Sequence, residues 1–377
     1  MAYLGAIVDA VMPKSTLFFL ALIALLVALA ALLWSGRRTR ARPSDAGDEA
    51  LAAAAAAEPS PDPEAATRAG PASDVAARLN ELKFGVALGA PADDPAHREV
   101  AGLVDTMLTG PVLKPEYAPR RPLLLPKLVQ AVNDESVSRR ELARLISQDP
   151  ALAGNLLRLA NSAFYRLNSQ PVESIDRAVT LLGTAGIRSL MAAALLQPVF
   201  RTASGEFKRF PEATWEHTQY AAAAGEAYAA IVADEDPFAA QLLALVLGLG
   251  TILVFRATMD QYTQQRVSAD AATVAALIAQ HEAAVATRVA QSWGLSERIV
   301  AALEEQSPQR LAGTLAGPPT PLGQALRFGR YCGSVGVLRH AAVLDDDAAV
   351  AALAAGGFAG PAIERIWARL VKQLTPA

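Results

Sequence analysis

Four histidines (His97, His217, His281 and His340) and one cysteine (Cys332) are the only imidazole or thiolate metal ligands in these 377 residues. Metal-assisted hydrolysis of a phosphate ester needs imidazoles and carboxylates converging on one ion. No Cys/His group here has the spacing of a zinc site. No G-x-x-x-x-G-K-[ST] loop occurs, and Gly248-Leu249-Gly250 lacks the third glycine and the preceding strand of a dinucleotide fingerprint. There is no G-x-S-x-G elbow. Asp345-Asp346-Asp347 could suggest a cation loop, but no carbonyl-rich segment surrounds it, and it reads as a solvated turn or a helix start. Asn161-Ser162 could form a binding pair. Its position at a helix end predicts instead that it satisfies backbone groups. Cys332 has no neighbouring base and reads as a packed small hydrophobe.

The elements that would position these groups are helices. Ser138 and Glu141 form a capping box, and Asp149-Pro150 is an N-cap followed by a proline that needs no amide donor. Ser174 can cap the next helix with Asp176 in its first turn, and Gly183 can close it. Thr184 can cap a further helix ending near Pro198. Apolar stripes run through Val100, Leu103, Val104, Met107 and Leu108, then Leu142, Leu145 and Ile146, then Leu152, Leu156 and Leu159. Asp236-Pro237 opens a helix with 18 uncharged residues, Phe238 to Phe255. It is interrupted by Gln241, Gly248, Gly250 and Thr251 and is read as a buried core helix. Arg256 to Asp270 is read as polar surface, Ala271 to Trp293 as a helix, and Leu295 to Leu303 as a helix capped by Ser296. C-terminal helices are expected over Leu322–Leu344 and Pro361–Leu374. No long period-two alternation appears, so the fold class is all-α.

Ahead of the helical body, Thr16 to Trp34 is an uncharged run of 19 residues, long enough to cross a bilayer as a helix. Trp34 ends it, and Arg37, Arg38, Arg40 and Arg42 follow, which places the C-terminal side in the cytoplasm. The charge lies behind the run rather than before it, so an uncleaved anchor is expected rather than a signal peptide. Residues 35–73 read as an Ala/Pro-rich acidic linker. The expected organisation is a short N-terminal segment (1–15), a transmembrane helix (16–34), the linker (35–73), a helical extension (74–118), a main domain (119–310) and C-terminal helices (311–377). A net charge of −3 and a pI near 5.9 give no electrostatic reason to expect nucleic-acid binding.

Leu125-Pro126, the DPAL of Asp149 to Leu152, the LANSAFY of Leu159 to Tyr165, and Ile175, Ala178 and Leu182-Gly183, in this order and spacing, resemble the HDOD domain. That family comprises helical regulatory modules related to the HD phosphohydrolases. The likeness spans roughly residues 119–310 and implies a multi-helical HD-like bundle. In catalytic relatives, the resemblance implies, a His-Asp pair binds metal in the helix after Asp236-Pro237. Here Leu247 and Gly248 stand at that pair, and Gln306-Ser307 stand near a later paired-His position. His217 and His281 remain at family-like positions and are expected to be core or capping histidines. Together with Asp149, Asn161 and Ser162 they are the candidate interaction or degenerate-cleft residues. No catalytic residue, metal or cofactor is expected. The resemblance implies a non-catalytic signalling scaffold at the bacterial inner membrane, with cyclic-dinucleotide or two-component proteins as the class of partner. A nucleotide or small-ligand sensor using the degenerate cleft is the alternative, and a metal-dependent phosphohydrolase the third reading.

Overall fold

The computed structural model describes residues 71–110, 149–162, 170–200, 206–313 and 317–374, together with isolated positions between them, except 163, 164 and the side chains of a few helical residues. The expected anchor over 16–34, most of the linker, Leu125-Pro126 and the Ser138–Glu141 box lie outside the described residues. Within them every regular element is helical, as the patterning predicts, and no strand occurs among the described residues.

Helices α1 (Pro71–Phe84) and α2 (Pro95–Thr109) come first. Asp94 caps α2 by accepting from the amides of Ala96 and His97, with Pro95 just inside the start. Only part of the expected α2 stripe is inward. Val100, Val104 and Leu108 are buried while Leu103 is exposed, because a period of 3.6 carries position 103 off the face set by 100, 104 and 108.

Helices α3 (Pro150–Ala160) and α4 (Ile175–Leu196) share a core of their own, with Ile146, Leu156, Ile187, Leu190 and Met191 at its centre. The Asp149 carboxylate accepts from the amides of Ala151 and Leu152, and the Ser174 hydroxyl accepts from Arg177. Gly183, at φ 69° and ψ −175°, breaks α4 into two abutting segments, so the stop predicted there is a sharp kink. A short 3-10 turn (Gln197–Phe200) follows and contains Pro198. Asp149→Ala is expected to cost about 1 kcal/mol of stability, read as a lowered urea midpoint. Asp149→Asn, which keeps the accepting oxygen, should remain near wild type.

The centre of the molecule is built by α5 (Phe210–Tyr228), α6 (Pro237–Gln265), α7 (Ala271–Ser292) and α10 (Pro321–His340), with α8 (Glu297–Glu304) and the short α9 (Pro308–Leu311) between the last two. A π-turn (Ala229–Ala233) ends α5. The apolar stretch of α6 is buried on all sides from Ala240 to Phe255, which accounts for its lack of an apolar stripe. The expectation of a polar surface from Arg256 onward is corrected. Helix α6 continues to Gln265 and buries Ala257, Thr258, Gln261 and Tyr262. The Thr258 hydroxyl returns to the Val254 carbonyl at 2.9 Å, so its burial leaves no orphan donor. Ser296 stands at the start of α8 without a side-chain cap bond, against the cap expected there.

Helices α5 and α10 pack backbone to backbone. A methyl group at Gly329 would lie 2.5 Å from the Ala221 carbonyl oxygen, and one at Gly333 2.7 Å from the Ala221 nitrogen. Helix α11 (Asp346–Ala355), which the sequence reading passes over, and α12 (Pro361–Leu374) close a further apolar cluster with α1, α5 and α10. Asp345 caps α11 by accepting from Ala348, so the three aspartates are a helix start. Cys332 is buried in this cluster, and burial pushes its thiol pKa up, away from nucleophilic chemistry.

Candidate functional site: a packed helical centre

The position of the implied ligand pair lies on α6 where α5, α7 and α10 approach it. Leu247 is buried, and Gly248 faces Thr218 of α5. A Cβ at residue 248 would sit 2.2 Å from the Thr218 Oγ1 and 2.7 Å from its Cγ2. Two residues on, a Cβ at Gly250 would sit 2.4 Å from the Glu282 carbonyl oxygen of α7. The space that a ligating side chain at residue 248 would need is therefore filled by the Thr218 side chain.

One turn along, charge is buried. The Glu282 carboxylate is 8% exposed, forms an ion pair with the Arg330 guanidinium of α10, and accepts from the Thr251 hydroxyl at 2.7 Å. Lys83 enters from the last turn of α1. It is 5% exposed, with its ammonium 5.9 Å from the centroid of the Phe210 ring. Burial pulls its pKa down to about 8; Glu282 opposes that shift and Arg330 reinforces it. The centre thus holds one carboxylate and two cationic side chains, all supplied by the chain itself.

The sign of the pH dependence follows. An unfolded lysine titrates near 10.5 and folded Lys83 near 8. Below pH 8 both states hold the proton and the burial penalty is undiminished. Between 8 and 10.5 the folded state releases its proton first, so stability rises with pH. The wild type should gain about 2 kcal/mol relative to Lys83→Met between pH 8 and 9.5, measured by urea unfolding of both proteins at each pH. Equal slopes would remove the buried ammonium from the account.

His217 of α5 places Nε2 3.1 Å from the Arg330 carbonyl oxygen and 3.1 Å from the Ser334 hydroxyl. Burial first, then Lys83, holds its pKa well below the usual imidazole range, so it is neutral at pH 7, with Nε2–H available to donate. His281 of α7 is also buried, but it faces α2. Its Nε2 lies 3.4 Å from Asp105 Oδ1, close enough for charge attraction yet not aligned as a hydrogen bond. Burial lowers its pKa, with Asp105 opposing. The two histidines are therefore held by different helices and share no polar partner. Asn161 donates from Nδ2 to the carbonyls of Leu157 and Val172 and accepts from the Val172 amide, while the Ser162 hydroxyl donates to Leu159. These two residues, like Asp149, complete helix ends, as the sequence reading expected of the pair. Among the described residues no group of three or more His, Cys, Asp or Glu could hold a metal ion.

Sequence reasoning missed Lys83, Thr218, Glu282, Arg330 and Ser334. A signal was present: Glu282 interrupts the buried stripe Ile278, Val285, Val289, and Lys83 continues the buried pair Val75, Leu79 at i+4. A charge on a core stripe marks a buried partner.

Fold and site together define an all-helical bundle that is closely packed around Gly248 and Gly250. The HDOD domain family matches residues 118–308, half of the chain, and the chain belongs to that family. No curated protein matches the sequence. Among solved structures, the chain is similar to an HDOD domain protein of unknown function from Geobacter sulfurreducens, at 19% identity over 73% of this chain and 98% of that one, with a TM-score of 0.46. It is similar to a protein from Shewanella amazonensis provisionally named a metal-dependent phosphohydrolase, at 16% identity over 74% and 99%, with a TM-score of 0.48. A third, from Marinobacter aquaeolei and provisionally named a signal transduction protein, shows 18% identity over 75% and 64%, with a TM-score of 0.49.

Proposed function

We propose that this HDOD protein is a non-catalytic signalling scaffold, tethered to the bacterial inner membrane by residues 16–34 with its helical body in the cytoplasm. The observation that carries the non-catalytic reading is the filled space at Gly248, where not even a methyl group fits. Hydrolysis through a metal-bound water requires an open coordination position. Here two helices and an internal ion pair occupy the centre. Such a body can still act by contact with other proteins. The tether confines it to the membrane face and raises its effective concentration for partners there. The partner class, signalling proteins of cyclic-dinucleotide or two-component pathways, follows from the family resemblance and rests on no contact in the structure.

Two measurements on the full-length chain test this reading. Proximity labelling in living cells, from a tag at the C-terminus, should mark cytoplasmic signalling proteins; a periplasmic set would overturn the topology. Phosphodiesterase activity with added divalent metal, lost on His217→Ala, would overturn the non-catalytic reading.

A further inference from the structure

One open volume lies apart from the packed centre. It is a cleft of about 1200 Å³ between the start of α5 and the second half of α6. Its wall is aromatic: Phe200 and Trp215 meet edge to face, with centroids 4.9 Å apart, and Met259 adds a polarisable contact. Three cations line it: Lys208 before α5, Arg256 within α6 and Arg266 at its end. None of the three makes an ion pair or a side-chain hydrogen bond among the described residues. Three carboxylates share the cleft with these cations, and two of them are held by hydrogen bonds. Glu206 accepts from the Ala269 amide at 2.8 Å, and Asp260 accepts from the Tyr117 hydroxyl at 2.8 Å. Glu212 lies in the first turn of α5, where the helix dipole favours a negative charge.

We infer that this cleft between α5 and α6 is a binding site for a nucleotide, with the base against Trp215, which Phe200 backs, and the phosphates held by Arg256, Arg266 and Lys208. A nucleotide joins a planar π-face to a compact polyanion, and the cleft sets an aromatic wall beside guanidinium and ammonium groups without partners. Few other small ligands need both halves. The volume exceeds that of a mononucleotide and is within the upper range of small-molecule sites, with the remainder open to water. The phosphate grip here would come from side chains alone, which explains why no glycine-rich cradle appears in the sequence. The cleft lies outside the packed HD-like centre, so the site does not depend on that centre accepting a ligand.

Isothermal titration of the full-length chain, without divalent cations, tests the inference with GTP, ATP and inorganic tripolyphosphate as probes. At least one nucleoside triphosphate should bind tenfold or more tightly than tripolyphosphate, and its affinity should fall as salt rises. Arg256→Ala combined with Arg266→Asn should weaken it at least tenfold; asparagine is chosen because it tolerates the left-handed backbone of residue 266, φ 57°. Circular dichroism melts must show the variant folded, and Lys372→Ala, on α12, serves as a distant charge control that should bind as wild type does. A flat trace with both nucleotides would overturn the site. So would tripolyphosphate binding as tightly as either, or a folded double variant that binds unchanged.

Discussion

Gly248→Asp, alone or with Leu247→His, is expected to collapse the stability of the bundle rather than restore a metal centre. The new Cβ would stand 2.2 Å from Thr218 Oγ1, inside a centre where α5 cannot retreat because its other face meets α10 at Ala221. Overpacking of this kind costs about 1–3 kcal/mol, and an aspartate there also places a carboxylate in a buried site. The sum, on the order of 4 kcal/mol, is a large fraction of the stability of an ordinary domain. Urea unfolding reads the loss. Thr218→Gly in the same chain should recover part of it, because the clash is with that side chain. A Leu247→His/Gly248→Asp variant that folds like wild type and gains bound divalent metal would show the centre to be open, contrary to the packing described.

Arg330→Met should be the second large effect, for the opposite reason. It removes a cation rather than adding bulk and leaves the Glu282 carboxylate, 8% exposed, with the Thr251 hydroxyl and the Lys83 ammonium as its remaining support. Breaking one side of a buried pair costs about 3–5 kcal/mol. Lys83, and the 29% exposure of the Arg330 side chain, bring the expected loss toward the lower end of that range. Glu282→Gln in the Arg330→Met background should return most of it, since an amide needs no counter-charge. A double-mutant cycle over the two positions measures the coupling, and a coupling near zero would dismiss the pair as a structural element.

Much of the fold was legible because helix ends are local chemistry. Asp149, Ser174 and Asp236, read as helix starts from the sequence, all accept from amides of the turn they open. The burial of Phe238–Phe255 was legible from length and polarity, since a run interrupted by Gln241, Gly248 and Thr251 suits a core better than a bilayer. The missed features depend on partners remote in sequence. The polar reading of Arg256 onward failed because Tyr262 finds His97, 165 positions away, with its hydroxyl 2.9 Å from Nδ1. Helix α11 was overlooked because its alanine-rich run carries only Val350 and Leu353 as larger apolar residues, and one of these, Val350, stays exposed.

The HDOD centre divides the same way. Sequence by itself determined that Leu247 and Gly248 bring no ligating atom, since a side chain's donor set is a property of residue type alone. It determined the helical class and most helix starts, since capping bonds span two or three residues. Only the tertiary structure decided what stands in the vacated place. The Thr218 side chain of α5 fills the place beside Gly248, and one turn along a carboxylate from α7 pairs with a guanidinium from α10, close enough to act electrostatically on the buried ammonium of Lys83 from α1, 247 positions before Arg330. Their meeting depends on how closely α5, α6, α7 and α10 approach one another, and that distance is set by packing at glycines and alanines whose identities say nothing of which helix will lie against them.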